Sequence, residues 1–146
     1  MPMLARWPGR IAAGSTSPAL LSHLDMPATF ARLAGATIPP GQCRDSIDVS
    51  AALLGKSPQG RSHFIAHVGG INGPFAVRAG DWKLITSSAN TYGKAAGGNA
   101  KNPAAPQLYD LARDPAEEKN LAEANPEKVA ELRSLLQRER ESSNAK

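Results

Sequence analysis

The sequence has few of the features that place a protein at first sight. It has a single cysteine, so no internal disulfide can form. No stretch approaches the roughly 18 apolar residues of a transmembrane helix, so no such helix is predicted. The N-terminus has neither a basic start nor a long apolar run, so no signal peptide is predicted and the localisation stays open.

Basic tracts and stacking aromatics are also scarce. Aromatic residues make up 5% of the chain, and the net charge of +4 is spread out without a block of Lys and Arg. Nucleic-acid-binding surfaces interleave basic and aromatic residues, and that pattern is missing. We therefore expect no nucleic-acid partner and no membrane.

No catalytic motif stands out. There is no Gly-x-Ser-x-Gly elbow, and no pair of carboxylates is arranged for acid–base catalysis. The aspartates Asp25, Asp45 and Asp48 are explained as turn or cap residues. Cys43 lies in a loop without a neighbouring base, so it is interpreted as an incidental thiol.

Two histidines, His63 and His67, stand four residues apart, a spacing that can bind zinc on a helix. Their surroundings predict a strand, along which four residues span about 13 Å, too far to share one ion. No metal site is therefore predicted. His67 precedes a glycine turn, where it is either a substrate contact or a partly exposed polar residue. His23 is interpreted as a local hydrogen-bonding residue.

Several other residues have structural interpretations. The glycine-rich segment 69–73 indicates a hairpin turn, since it lacks the Lys and Ser/Thr of a phosphate-binding loop. Trp82 is interpreted as a packing aromatic. Three cations near the predicted strands form either a basic patch or, more simply, part of a solvated strand face: Arg61, Arg78 and Lys83.

The first half of the chain predicts a strand at residues 3–7 and two short helices. Asp25 is the predicted N-cap of a helix over residues 26–34, and Gly35 its left-handed end. Asp48 is predicted to cap a second helix that runs through Leu54.

The second half predicts an antiparallel sheet and a terminal helix. The predicted strands are residues 63–68, 75–78, 82–86 and 107–110. A mobile loop is expected at residues 87–106, and the sequence after Asp114 has the form of a helix start. An amphipathic helix is predicted over residues 126–140, with Asn125 as cap, Pro126 at its first position and an apolar stripe: Val129, Leu132, Leu135 and Leu136.

Several of these segments together resemble one family. The run QLYDLARDPAEEKNL (residues 107–121) is similar to a segment near the C-terminus of the sulfatases, the formylglycine-dependent sulfate-ester hydrolases. MLARWPGRI (3–11), SHLDMPATFARLAG (22–35) and FAVRAGDWKLI (75–85) are similar to further sulfatase segments in the same order. The resemblance extends over almost the whole chain and corresponds to roughly the last third of a sulfatase.

The resemblance implies an alkaline-phosphatase-like protein. The expected fold class of this chain is α+β: a small antiparallel sheet packed with the terminal helix, plus an N-terminal strand and two short helices from the larger domain. Residues 1–55 would belong to the catalytic domain and residues 56–146 to the C-terminal subdomain.

The family's chemistry is implied only for the intact enzyme. It uses a formylglycine nucleophile and a calcium ion, and many members are periplasmic or secreted. The sequence around Cys43 departs from the formylglycine motif, and the calcium ligands and nucleophile belong upstream of this chain. No catalytic or metal residue is therefore transferred, and only His67 is assigned a substrate-contact role.

Two functional hypotheses follow from the resemblance. In the first, the chain is the C-terminal part of a sulfatase that acts on a sulfate ester or sulfated glycan, and is inactive alone without its N-terminal catalytic portion. In the second, it is a non-catalytic module that complements a separate sulfatase chain or binds sulfated glycans.

Overall fold

The structure is a computed structural model that describes residues 3–67, 74–86 and 105–144. It has the expected α+β class. A 3-10 turn at His23–Asp25 leads into helix α1, and the elements that follow are α1 (Met26–Ala34), α2 (Ser50–Leu53), β1 (His63–His67), β2 (Phe75–Ala79), β3 (Trp82–Ile85), β4 (Gln107–Asp110) and α3 (Pro126–Asn144). These elements fall into two compact units, Met1–Ser62 and His63–Lys146.

The second unit is built on the predicted antiparallel sheet, with strand order β1-β2-β3-β4. Val77 pairs with Leu84, and Leu84 with Leu108, so one strip of apolar side chains crosses three strands on the same face. These side chains form one buried cluster with residues from α3 and the segment before it: Ala122, Val129, Leu132 and Leu136. The predicted stripe of α3 is thereby confirmed, and it packs over the sheet.

One outer edge of the sheet, on β4, is covered by the chain that follows it. The Leu108 amide donates to Asn120 Oδ1 over 3.0 Å, and the Leu121 amide donates to the Leu108 carbonyl over 2.8 Å. The Asn120 amide nitrogen also donates to the Pro106 carbonyl at 3.3 Å. A side chain and one backbone group therefore take the hydrogen-bonding places of a fifth strand.

The first unit is centred on the start of α1. Ser22 Oγ accepts from the Leu24 amide, while Asp25 Oδ2 accepts from the Ser22 amide at 2.9 Å, which makes a capping box around the 3-10 turn. Thr29 is fully buried and accepts from the Val49 amide at 3.0 Å. α1 has its predicted bounds and ends at Gly35, whose φ of 70° is left-handed.

Two cap assignments differ from expectation. Asp25 precedes α1 but makes no side-chain hydrogen bond to that helix. α2 is shorter than predicted. Asp48 lies two residues before its first residue, Ser50, and accepts a hydrogen bond from the Ser50 amide at 2.8 Å. This hydrogen bond, and a second one with the Ser50 side chain, lower the pKa of Asp48.

The strand predicted at residues 3–7 is wrong. These residues form no strand, and Leu4 is almost completely exposed. A strand needs a neighbour for its backbone groups, and none of the described segments pairs with this one.

The helix start predicted after Asp114 is also wrong. Asp114 accepts from the Glu118 and Lys119 amides, four and five residues on, at 3.1 and 2.8 Å. A helix N-cap bonds two or three residues on instead. Glu117 adopts a left-handed φ of 58°, which turns the chain away from a helix.

The terminal helix begins at Pro126 as predicted and continues to Asn144, four residues past the predicted end. The predicted turn at 69–73 and the predicted loop at 87–106, apart from residues 105 and 106, lie outside the described residues. Across the described ranges, no helix has the length and apolar character to cross a membrane.

Candidate functional site

His67 is the last residue of β1 and lies opposite Phe75, the first residue of β2. The His67 side chain is exposed. Its ring centre is 5.6 Å from that of Phe75, with the two planes inclined at 44°. The predicted contact residue is therefore at an accessible strand end and touches an aromatic ring.

Phe75 is fixed by Thr86, just beyond the end of β3. The Phe75 amide donates to Thr86 Oγ1 at 2.9 Å, and the Thr86 amide donates to the Phe75 carbonyl at 2.8 Å. The Thr86 hydroxyl also donates to that carbonyl at 3.2 Å. Both backbone polar groups of Phe75 are thus satisfied, which fixes the backbone from which the half-buried ring projects.

A second side chain uses the same ring. The Arg140 guanidinium carbon, on α3, lies 4.8 Å from the centre of Phe75. Such cation–π contacts contribute about 0.5–1 kcal/mol at exposed sites. Phe75 therefore joins a residue of the sheet, His67, to a residue of the terminal helix.

Arg140 also lines a groove on the surface of α3, here called the α3 groove. The residues around it lie on one stripe of the helix: Arg133, Leu136, Gln137, Arg140 and Glu141. Leu136 is buried and forms an apolar floor. Gln137 Nε2 donates to Glu141 Oε1 at 2.9 Å. The sequence does not indicate this groove, because the stripe has the composition of an ordinary charged helix face.

His63 faces a different partner. Its Nε2 lies 3.6 Å from Glu139 Oε1 on α3. No group of three His, Cys, Asp or Glu residues within residues 3–67, 74–86 and 105–144 is placed to hold a metal ion. The segments between those ranges contain none of these four residue types. The residues thus do not fit the calcium ion that the family resemblance implies for an intact enzyme.

Cys43 does not fit a formylglycine either. It is exposed and has a left-handed φ of 48°. The sequence that follows it is Arg-Asp-Ser, without the Pro or Ala and the Arg at the required offsets. Cys43 therefore stays an incidental loop thiol, and no reaction step is assigned to it.

The three cations of the predicted patch are engaged separately. Arg61 Nε donates to both carboxylate oxygens of Asp25, at 2.7 and 2.9 Å. Lys83 Nζ donates to both oxygens of Glu117, at 2.6 and 2.7 Å. Arg78 donates to the Gly80 carbonyl at 3.3 Å. Arg61 and Lys83 are therefore structural ion-pair partners.

The contact between Lys83 and Glu117 lies next to Tyr109, the residue that pairs with Lys83 across the sheet. Burial raises the pKa of the Tyr109 hydroxyl, and the negative charges of Glu117 and Asp114 raise it further. Tyr109 therefore stays protonated at physiological pH. Trp82 packs against the core cluster as expected.

Comparisons with known proteins agree with this fold. The family model for the C-terminal region of aryl-sulfatase matches residues 60–146. The chain therefore belongs to the arylsulfatase family, and it corresponds to the C-terminal region of such proteins.

Two comparisons come from Bacteroides thetaiotaomicron. The chain is 33% identical over 141 residues to an N-acetylgalactosamine-6-O-sulfatase, covering 94% of this chain and 26% of that protein. A solved structure described under the metabolism of multiple glycosaminoglycans is 34% identical, with a TM-score of 0.75 over 90% of this chain and 27% of the other.

A third comparison concerns fold alone. A solved structure in complex with its substrate, D-glucosamine-2-N,6-O-disulfate, is 23% identical, with a TM-score of 0.67 over 93% of this chain and 27% of the other. The chain spans about a quarter of the length of the curated relatives it matches.

Proposed function

We propose that this chain is the C-terminal part of a sulfate ester hydrolase that acts on sulfated glycans. The observation that carries the proposal is the family match over residues 60–146, supported by the fold likeness at a TM-score of 0.75. The names of the relatives supply the substrate class, since they include a sulfatase of N-acetylgalactosamine 6-sulfate. In this proposal residues 1–55 belong to the catalytic domain and residues 56–146 form the C-terminal subdomain.

In this proposal His67 contacts the substrate at the rim of the active site. Its support is geometric: the side chain is exposed at the end of β1 and rests against Phe75. An imidazole N–H can donate to a sulfate or hydroxyl oxygen. His67 binds and orients in this role, and the nucleophile comes from elsewhere.

The chain alone is proposed to be inactive. In the intact enzyme, the formylglycine would supply the nucleophile and calcium would polarise the sulfate. Neither the loop around Cys43 nor any described cluster of potential ligands suits these groups. The chain's own contribution is the scaffold and the contact at His67.

The first unit is proposed to pack against the catalytic portion. All six of the large apolar side chains that are exposed in the described residues belong to this unit: Met3, Leu4, Trp7, Leu24, Phe30 and Ile47. Met3, Leu4 and Trp7 lie within five residues of one another, and exposed apolar residues that form one patch mark a surface with a partner. The same observation favours the second candidate function, a module that complements a separately made sulfatase chain.

A chimera tests the proposal. This chain replaces the corresponding C-terminal quarter of the Bacteroides N-acetylgalactosamine-6-O-sulfatase, and hydrolysis of its 6-sulfated sugar is measured. We expect activity, and we expect His67→Ala to lower kcat/KM about tenfold, the effect of one lost hydrogen bond to a charged group. His23→Ala, at an exposed position in the other unit, is the matched control and should change little.

The chain alone is assayed in parallel with an aryl sulfate. No turnover is expected, and addition of the separately produced catalytic portion restores activity if the complementing role is correct. Turnover by the chain alone that disappears when calcium is removed would contradict the proposal. A chimera that folds but never hydrolyses the ester would contradict the family-based activity.

A further inference from the structure

We propose that the α3 groove binds a second anionic group of a sulfated glycan, with Arg133 and Arg140 as the contact residues and His67 at the end nearest the reacting sulfate. The inference rests on the proposed function, because that function supplies the polyanionic ligand. It assigns a role to residues that the substrate contact at His67 does not include.

The two arginines are placed for two anionic groups on one chain. They stand seven residues apart on α3, which is two turns and about 10 Å along the helix. Both line the α3 groove, with the buried Leu136 between them as floor. A single small ion cannot bridge that distance, whereas an oligosaccharide carrying several sulfates can.

Both guanidinium groups are available for a ligand. In the described part of the chain, neither arginine has a carboxylate within ion-pair distance. Lys128, on the same helix, is instead paired with Glu131 at 2.5 Å. Guanidinium forks bind oxoanions such as sulfate through two parallel hydrogen bonds.

Arg140 is held in position before any ligand arrives. Its guanidinium lies over Phe75, and the backbone of Phe75 is itself fixed by Thr86 through both polar groups. A long side chain that is already ordered loses less rotamer freedom on binding, which is worth about 0.5–1.5 kcal/mol per side chain in general. The stacking leaves the edge N–H groups of the fork free to donate.

The aromatic ring also makes the groove continuous with the proposed substrate contact. His67 and Arg140 both contact Phe75, with 5.6 Å between the ring centres and 4.8 Å from the guanidinium carbon to the ring. A glycan that reaches His67 from the active site can therefore extend along α3 toward Arg133. This continuity favours a glycan over an unrelated anionic partner.

Glu141 is the one acidic group that lines the groove, and it accepts a hydrogen bond from Gln137. Its negative charge repels an anionic ligand, so it lowers the affinity of the groove for that ligand. Replacement of Glu141 by Gln should strengthen binding, whereas a residue with a merely structural role would weaken it or have no effect.

The test is a titration of the isotope-labelled 146-residue chain with a chondroitin-6-sulfate tetrasaccharide, followed by NMR chemical shifts. We expect the largest shifts at the groove residues and His67. Arg133→Gln and Arg140→Gln should each weaken binding about tenfold, and Glu141→Gln should strengthen it two- to threefold, roughly the removal of one screened repulsion. Arg138→Gln, an exposed arginine of α3 that does not line the groove, is the matched control and should leave affinity unchanged.

Several outcomes would overturn the inference. They are absence of binding, equal weakening by Arg138→Gln, equal binding of the desulfated tetrasaccharide, and equal binding of an oligonucleotide of the same charge. Circular dichroism of each variant separates loss of the site from loss of the fold. The readout involves no turnover, so failure here counts against the groove alone, while failure of the chimera counts against the enzymatic proposal.

Discussion

Asp25 and Arg61, thirty-six residues apart, form the most buried ion pair of the described structure. The Asp25 side chain is fully buried and that of Arg61 is 15% exposed. Asp25 also accepts from the Ser22 and Ile47 amides, and Arg61 donates to the Asp45 carbonyl. One carboxylate thus ties the start of α1 to the segment that follows α2 and to the loop between the helices.

Arg61→Gln should strongly destabilise the first unit, because it leaves the Asp25 carboxylate buried without its counter-charge. Removal of one partner of such a pair costs about 3–5 kcal/mol. Urea unfolding followed through the amide signals of residues 22–53 measures the effect. Arg44→Gln, an exposed arginine of the same unit, is the control, and an equal loss in both variants would contradict the assignment.

Replacement of the same pair by apolar residues should lower the stability of the first unit. In Asp25→Leu/Arg61→Met the charges are removed together, but the Ser22 and Ile47 amides lose their acceptor. We therefore expect the double variant to remain less stable than the original chain, since an unsatisfied buried donor such as the Ser22 amide costs about 1–3 kcal/mol. Full recovery of stability in the same unfolding measurement would show that the two amides find other partners.

Gly60 is required by a close backbone approach. A Cβ atom at this position would lie 2.3 Å from the Leu20 carbonyl oxygen, next to the place where the Arg61 amide donates to that oxygen at 2.7 Å. Gly60→Ala should therefore shift the backbone and break that hydrogen bond, at a cost of about 2 kcal/mol. In Gly9→Ala the new Cβ has open space around it, so the loss of stability comes only from the left-handed φ and is about 1 kcal/mol. Equal thermal shifts for the two variants would contradict this reason.

Asp114 should make the turn before α3 sensitive to acid. The Lys119 and Glu118 amides lower the pKa of its carboxyl group, and the charged form is the one that these amides stabilise. A lowered pKa contributes stability that is present above the unfolded value of about 3.9 and is lost as the pH falls through the folded value. Amide exchange at Glu118 and Lys119 should therefore speed up in acid, relative to the intrinsic rate. In Asp114→Asn this extra pH dependence should disappear, and its persistence would point to another group.

The two units should differ in local stability. The second unit buries a cluster of seven apolar residues. Among its described residues 3–62, the first buries only two apolar side chains, Val49 and Ala52, beside the polar Ser22, Asp25 and Thr29. We expect faster hydrogen exchange in residues 22–53 than in β2, β3 and α3, and aggregation that begins in the first unit. Uniform protection across both units would contradict this expectation.

The sequence was sufficient for elements whose signals are local. Runs of β-forming residues, with glycine turns between the first three, predicted all four strands, and the spacing of Val129, Leu132 and Leu136 predicted α3. Asp25 before the helix and Gly35 after it predicted the bounds of α1. In each case the residues that decide the conformation lie within the element or directly beside it.

The sequence was not sufficient where the conformation depends on distant partners. Residues 3–7 have the composition of a strand but no described neighbour to pair with. Asp114-Pro115 has the residues of a helix start, yet Glu117 turns left-handed and pairs with Lys83, a residue thirty-four positions earlier. The ion pair of Asp25 and the stacking of Arg140 on Phe75 are equally non-local, so no spacing in the sequence announced them.

Asn120 has a consequence for how copies of this protein meet. Because its side chain and the Leu121 amide occupy the outer hydrogen bonds of Leu108, β4 offers an incoming strand little to pair with. A strand from another chain would therefore pair less readily with β4 than with β1, the opposite edge strand, which carries His67. A ligand bound at His67 would then also lie at the end of the strand to which an incoming strand would add.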